Sequence, residues 1–252
     1  TSVSDFREKG LYMVGGANGM KKVAEGGEIK YTTLKESKST IRVESYAEGI
    51  MFTRQAFIND DLSAFDVIPS SFVRDWGILR GDMVWGLIVD NAKMSDGKTM
   101  FCADHGNLLT GTDSALSEDS LAAAKVLLSK QKDPAGKMIR VVPKYLIVPP
   151  ELETTAKKLV TATTPAKVSD VNVFANEFDI IVEPRLTDST SWYLAADPNA
   201  VDTLYYAYLE GNEALRVNSE EDFNTDTMKY AVRGYFGASA IDHRVMVKAA
   251  GK

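Results

Sequence analysis

Side chains able to carry covalent or acid–base chemistry are scarce in this sequence: two histidines, His105 and His243, and one cysteine, Cys102. His105 lies in the run Phe101-Cys102-Ala103-Asp104-His105-Gly106-Asn107, which gathers a thiol, a carboxylate and an imidazole within a few residues. A structural zinc site needs four such ligands, in pairs at defined spacing. The chain offers no second cluster, so these residues read as a loop whose polar groups cap its own backbone. His243 directly follows Asp242. Adjacent side chains of a strand point to opposite faces, which places Asp242 poorly for orienting His243 in a nucleophilic triad. Asp242, His243 and Arg244 therefore read as a polar cluster at a sheet edge. No G-x-S-x-G elbow is present. Gly15-Gly16-Ala17-Asn18-Gly19 lacks the Lys-Ser/Thr pair of a phosphate loop, and Gly136-Lys137-Met138 lacks the hydroxyl. The pairs Asp60-Asp61 and Glu220-Glu221 read as solvated turns or ion-pair partners. The expectation is a protein without catalysis, metal or cofactor.

Composition narrows the partners. The 252 residues carry a formal charge of −6, and the basic doublets Lys21-Lys22 and Lys157-Lys158 have acids nearby. Such a surface is not built to neutralise a row of phosphates. At 44% apolar and 25% charged the chain has the composition of an ordinary folded protein. No stretch approaches the ~18 apolar residues of a membrane span. A single cysteine excludes an internal disulfide framework.

The elements that must position these residues are more telling. Residues 28–35 and 39–46 read as two strands joined at Glu36, Ser37 and Lys38. Thr32, Thr33, Thr40, Ile41 and Val43 supply the β-branched content. Arms of ~9 residues span ~30 Å, whereas a 252-residue globule has a radius of gyration near ~18 Å. A polar ribbon of that length is expected to project and to lie on a neighbouring chain, because an isolated hairpin is marginal in water. A helical stripe follows: Phe65, Ile68, Phe72, Trp76, Leu79, Met83 and Leu87, spaced by three or four. It predicts a rod over 70–89, with Pro69 in the first turn, where its missing N–H costs nothing. Gly77, Gly81 and Gly86 either weaken this rod or admit another backbone. A second helix is expected from an N-cap at Ser117 to about residue 131. Then come a strand over 139–148 broken at Pro143, a helix over 151–161, and strands over 178–182, 192–196, 204–209 and 228–235. Strands and helices do not alternate regularly, so the fold class is α+β.

Several longer runs are specific. Phe57-Ile58-Asn59-Asp60-Asp61-Leu62-Ser63-Ala64-Phe65 and Gly81-Asp82-Met83-Val84-Trp85 resemble the major head protein family of Mu-like phages and prophages. So do Ala103-Asp104-His105-Gly106-Asn107-Leu108, Leu146-Ile147-Val148-Pro149-Pro150-Glu151-Leu152-Glu153-Thr154 and Val182-Glu183-Pro184-Arg185-Leu186. Trp192-Tyr193-Leu194-Ala195-Ala196-Asp197-Pro198 and Phe236-Gly237-Ala238-Ser239-Ala240-Ile241-Asp242-His243-Arg244 extend the resemblance, which covers roughly residues 40–247 in order. It implies the tailed-phage major capsid fold, shared with herpesvirus capsid floors and encapsulin shells. On that fold, 1–27 would be an N-terminal segment and 28–46 the extension loop. Residues 47–137 would form a peripheral domain whose spine helix is 70–89, carrying Phe72, Trp76, Leu79 and Met83. Residues 138–198 would form the axial domain, and 199–252 would return to the periphery. A terminus at Thr1 would fit proteolytic maturation or simple trimming equally.

The function so implied is self-assembly, through pentamers and hexamers, into an icosahedral head enclosing phage DNA without sequence-specific binding. Assembly would occur in the bacterial cytoplasm, and portal, scaffold, protease and decoration proteins would be further partners. In the extension loop, Lys30, Lys35, Lys38 and Arg42 would meet acidic groups of the adjacent subunit, while Ile29, Tyr31 and Ile41 would bury apolar area there. Three rivals stand beside this reading: an encapsulin-like compartment, a decoration or adaptor protein, and a monomeric enzyme using His105 or His243.

Overall fold

The structure, a computed structural model, describes residues 1–14, 36–59, 67–133, 136–161, 174, 176–199, 201, 203–222 and 225–252. Their contacts form two units. The first comprises Thr1–Gly10, Thr40–Leu87 and Tyr205–Ser239, the second Leu11–Ser39, Ile88–Leu204 and Ala240–Lys252. This grouping by contact places 88–137 and 240–252 in the second unit. No helix among the described residues is long and apolar enough to cross a membrane.

Strands β1 (Ser2–Val3), β2 (Lys9–Val14), β3 (Glu36–Ile41) and β4 (Glu44–Thr53) open the chain. A short helix α1 (Arg54–Ile58) follows, and then α2 (Ile68–Val89), the rod that the apolar stripe predicts, two residues longer at its start. Its inner face is Phe72 and Trp76, both buried, while Leu79 and Met83 are half-buried. The first unit's sheet centres on the 14-residue β11 (Thr227–Ala240), which pairs with β4, with β10 (Arg216–Asp222) and with β9 (Leu204–Leu209). β1 adds to β9 in parallel. The Trp76 indole lies between Tyr46 of β4 and Phe236 of β11, with ring centroids 6.3 Å from each. Gly234 makes this seat possible, since a Cβ there would stand 2.6 Å from the indole.

The ribbon differs from its expectation. Glu36, Ser37 and Lys38 form strand rather than a turn, and β3 pairs with β2 in a two-stranded sheet. The expected second arm, 39–46, breaks at Arg42 and Val43, and its later half joins β11 as β4. The reason is burial: Ile41 and Val43 are 2% and 1% exposed. The backbone between them lies so close to Gly237 that a Cβ on Gly237 would stand 2.0 Å from the Arg42 carbonyl. The expected first arm, 28–35, lies outside the described residues, as does the glycine run at 15–19.

In the second unit five strands form a mixed sheet in the order β5 (Leu108–Leu109), β12 (Met246–Ala249), β8 (Trp192–Ala196), β6 (Pro143–Val148) and β7 (Asp179–Val182). All five residues of β8 are buried, as its unbroken apolar run requires of a central strand covered on both faces. Helix α3 (Glu118–Ser129) packs against β12, and α4 (Glu153–Val160) against β6 and β7. Ser117 caps α3: its hydroxyl accepts from the Ser120 N–H, and the Ser120 hydroxyl accepts from the Ser117 N–H. β6 starts only at Pro143, because Ile139 donates its N–H to the Gln131 carbonyl and holds the preceding segment beside the end of α3. Proline suits the first residue of a strand, where its missing donor breaks no ladder bond.

Candidate assembly surfaces

The β2–β3 ribbon carries the first candidate surface. Lys38 is exposed, and its ammonium lies 5.8 Å from the centroid of the Tyr12 ring, a cation–π contact. Tyr12 is itself 62% exposed. This pair is a candidate contact point, because an exposed tyrosine offers a partner both apolar area and a hydroxyl. The expected contacts are corrected in part. Ile41 is enclosed by its own chain and offers no area to a neighbour. Arg42 keeps an exposed side chain. Ile29, Lys30, Tyr31 and Lys35 lie outside the described residues.

The second surface is a groove of about 250 Å³ in the first unit, between α2 and the sheet. Phe72, Trp76 and Leu79 from the helix and Val232 from β11 make it apolar, while Asp75 and Glu48 place exposed carboxylates on its walls. Of the spine residues singled out in the sequence, Phe72, Trp76 and Leu79 meet here, and Met83 does not. Tyr12, Asp75 and Glu48 carried no signal in the sequence, because exposure and pairing across elements decide their role.

The histidines meet in the second unit. Their rings stack in parallel, with centroids 3.7 Å apart and planes at 9°. His105 Nδ1 lies 3.1 Å from the Met100 carbonyl oxygen and Nε2 lies 2.7 Å from Asp96 Oδ2. Each ring nitrogen thus lies within hydrogen-bond distance of an oxygen of its own chain. Burial raises the Asp96 carboxyl, but hydrogen bonds from His105 and from the Lys98 N–H outweigh it and hold the group below its ordinary value. Buried Asn107 ties the two loops together: its amide donates to the carbonyls of Met100 at 2.8 Å and His243 at 3.2 Å. The cluster at 242–244 is a buried turn between β11 and β12, not a sheet edge. Asp242 turns to Arg244, whose Nε donates to both carboxylate oxygens at 2.8 and 2.9 Å. His243 turns away to His105. Burial, and then the neighbouring His105, push the His243 imidazole down to about 4, with Asp242 and Asp96 opposing. It is therefore neutral near pH 7. Among the described residues no group of three or more Cys, His, Asp and Glu side chains could hold a metal ion. The arrangement braces two loops against each other.

The fold carries this geometry to known structures. The capsid of cyanophage Pam1 matches over 97% of this chain and 86% of its own, with a TM-score of 0.62 and 13% identity. The mature capsid of bacteriophage PhiM1 matches over 98% and 83%, with a TM-score of 0.64 and 13% identity. The bacteriophage JBD30 capsid matches over 74% and 89%, with a TM-score of 0.62 and 12% identity. These likenesses define the class: a tailed-phage major capsid fold. No curated protein matches the chain in sequence. The family model for phage capsid proteins matches residues 36–249, so the chain belongs to that family and is a major capsid protein of a phage head.

Proposed function

We propose that copies of this chain associate through the β2–β3 ribbon and the α2 groove, in pentamers and hexamers that close an icosahedral head around DNA. The observation that carries the reading is the ribbon. Its two strands pair with each other and with no other described strand, and they present Tyr12 and Lys38 to solvent. The groove offers the complement, an apolar floor walled by Asp75 and Glu48. An exposed ion pair contributes only ~0–1 kcal/mol. Burial at ~25 cal/mol per Å² makes Tyr12 the larger part of the attraction. Each contact is weak enough to dissolve when misplaced, and repetition around the shell makes the finished lattice stable. Residues 47–137 form the peripheral domain with α2 as its spine, 138–198 form most of the axial domain, and 199–252 return to the periphery. The protein's role is structural, without catalysis, and the runs shared with Mu-like head proteins support that subfamily. Assembly in the host cytoplasm, with portal, scaffold, protease or decoration partners, completes the reading.

The test replaces residues 11–39 with a short Gly-Ser linker and keeps Ile41 and Val43 in the core. The expected product is a folded, soluble chain that forms no shells in negative-stain images. Normal shells from it would remove the ribbon from the account.

A further inference from the structure

The chain is acidic as a whole, but residues 130–142 are not. They hold Lys130, Lys132, Lys137 and Arg140 against a single acid, Asp133, a local charge of +3 where the full chain carries −6. This segment of the second unit doubles back just after α3. Lys132 pairs with Met138 in an antiparallel bridge, which puts both side chains on one face, and Gly136 takes the turn at a φ of 85°. Asp133 serves the turn, its Oδ1 accepting the Lys137 N–H at 2.8 Å. Gln131 anchors the segment: its buried side chain donates to the carbonyls of His105 and Gly106, each at 3.1 Å.

Gln131 and Val141 are buried, whereas Lys130, Lys132, Met138, Arg140 and Val142 are exposed. None of Lys130, Lys132 and Arg140 has an ion-pair partner among the described residues. Accessible cations on an anchored support raise the local potential and draw an anion. Composition says which kind. Protein interfaces are depleted in lysine and enriched in aromatic side chains, and residues 130–142 contain no aromatic. Phosphate contacts need only charged groups on long side chains.

We propose that Lys130, Lys132 and Arg140 form a contact patch for the phosphate backbone of duplex DNA. The patch deepens the reading of a head closed around DNA and rests on it. Gln131, the one side-chain amide of the segment, is committed to its own chain, so the contact takes duplexes of any sequence. It is also weak. Three phosphate contacts give a binding constant that falls ~40-fold between 50 and 200 mM salt, so a wall carrying such patches holds the duplex loosely.

The test follows the fluorescence anisotropy of a labelled 30-base-pair duplex with the full chain, kept too dilute to form shells, from 20 to 200 mM salt. One variant combines Lys130→Glu, Lys132→Glu and Arg140→Glu. A comparison variant makes the same charge change at three other exposed bases, through Arg74→Glu, Lys93→Glu and Lys158→Glu. Reversal of the patch should weaken binding at least tenfold at 50 mM salt, with an unchanged circular dichroism spectrum, while the comparison variant loses less than threefold. Lys130→Gln with Lys132→Gln and Arg140→Gln, which removes the charges without reversing them, should flatten the log–log salt slope by ~2.7. Equal losses in the patch and comparison variants, or no duplex binding by the unsubstituted chain at 20 mM salt, would overturn the patch. So would capture of a sixteen-residue Glu-Leu repeat peptide in place of the duplex, because Met138 and Val142 would then mark a site for an acidic protein segment. Negative-stain images of the concentrated, unsubstituted chain read the assembly separately. Shells without duplex binding would overturn the patch alone, and duplex binding without shells would overturn the shell reading alone.

Discussion

Asp242 and Arg244 stand two residues apart in a buried turn, with Asp242 fully enclosed. Removing one member of such a pair leaves the other charge in a medium that cannot solvate it. Asp242→Ala should therefore cost about 3–5 kcal/mol, read as a shift of the urea midpoint, and Asp242→Asn should cost less because it keeps an acceptor for Arg244. His243 sets a different limit, through pH. Its folded value, about 4, lies below the ordinary value of 6.5, so between these values the unfolded chain binds more protons than the folded one. Stability contributed by the neutral imidazole is complete above pH 6.5 and is lost as pH falls toward 4. The loss is on the order of 3 kcal/mol. His243→Phe keeps an aromatic ring on His105 and removes the titration, so denaturation midpoints measured from pH 7 to pH 4 should fall less steeply than in the unsubstituted chain. Equal slopes would show that His243 does not titrate in this window.

At the scale of elements, α2 is held to its sheet by one bulky ring in a seat made by a missing side chain. Gly234→Ala would drive a methyl into the Trp76 indole. Overpacking of this kind costs about 1–3 kcal/mol, and Trp76 fluorescence should shift as the ring leaves its place between Tyr46 and Phe236. The helix itself was legible in the sequence, because seven apolar residues keep the 3–4 spacing from Phe65 to Leu87. So was α3, whose start is fixed by the local chemistry of Ser117. The ribbon was legible only in part. Its polar sequence showed strand content, but the pairing of Lys9–Val14 with Glu36–Ile41 joins segments more than twenty residues apart, and the glycine runs between them, at 15–19 and 26–27, do not specify which strands pair. β10 went unseen for a related reason: Arg216–Asp222 has no apolar alternation and is strand because β11 supplies a partner edge. The stacking of His105 on His243 is purely tertiary, since two distant loops bring the rings together.

For the whole molecule, the described surfaces favour association over chemistry. Tyr12 is exposed on the ribbon and Val73 and Ile78 on α2, whereas the histidines stack on each other inside the second unit. The acidic balance suits the proposed wall, which would enclose DNA without gripping it. Sedimentation velocity of the purified, unsubstituted chain near pH 7, with cryo-electron microscopy of the fast fraction, tests the account most directly. It predicts closed shells built from many copies in concentration-dependent equilibrium with small oligomers. A chain that stays a single 27.6 kDa species at every concentration tried, including with scaffold partners present, would contradict it.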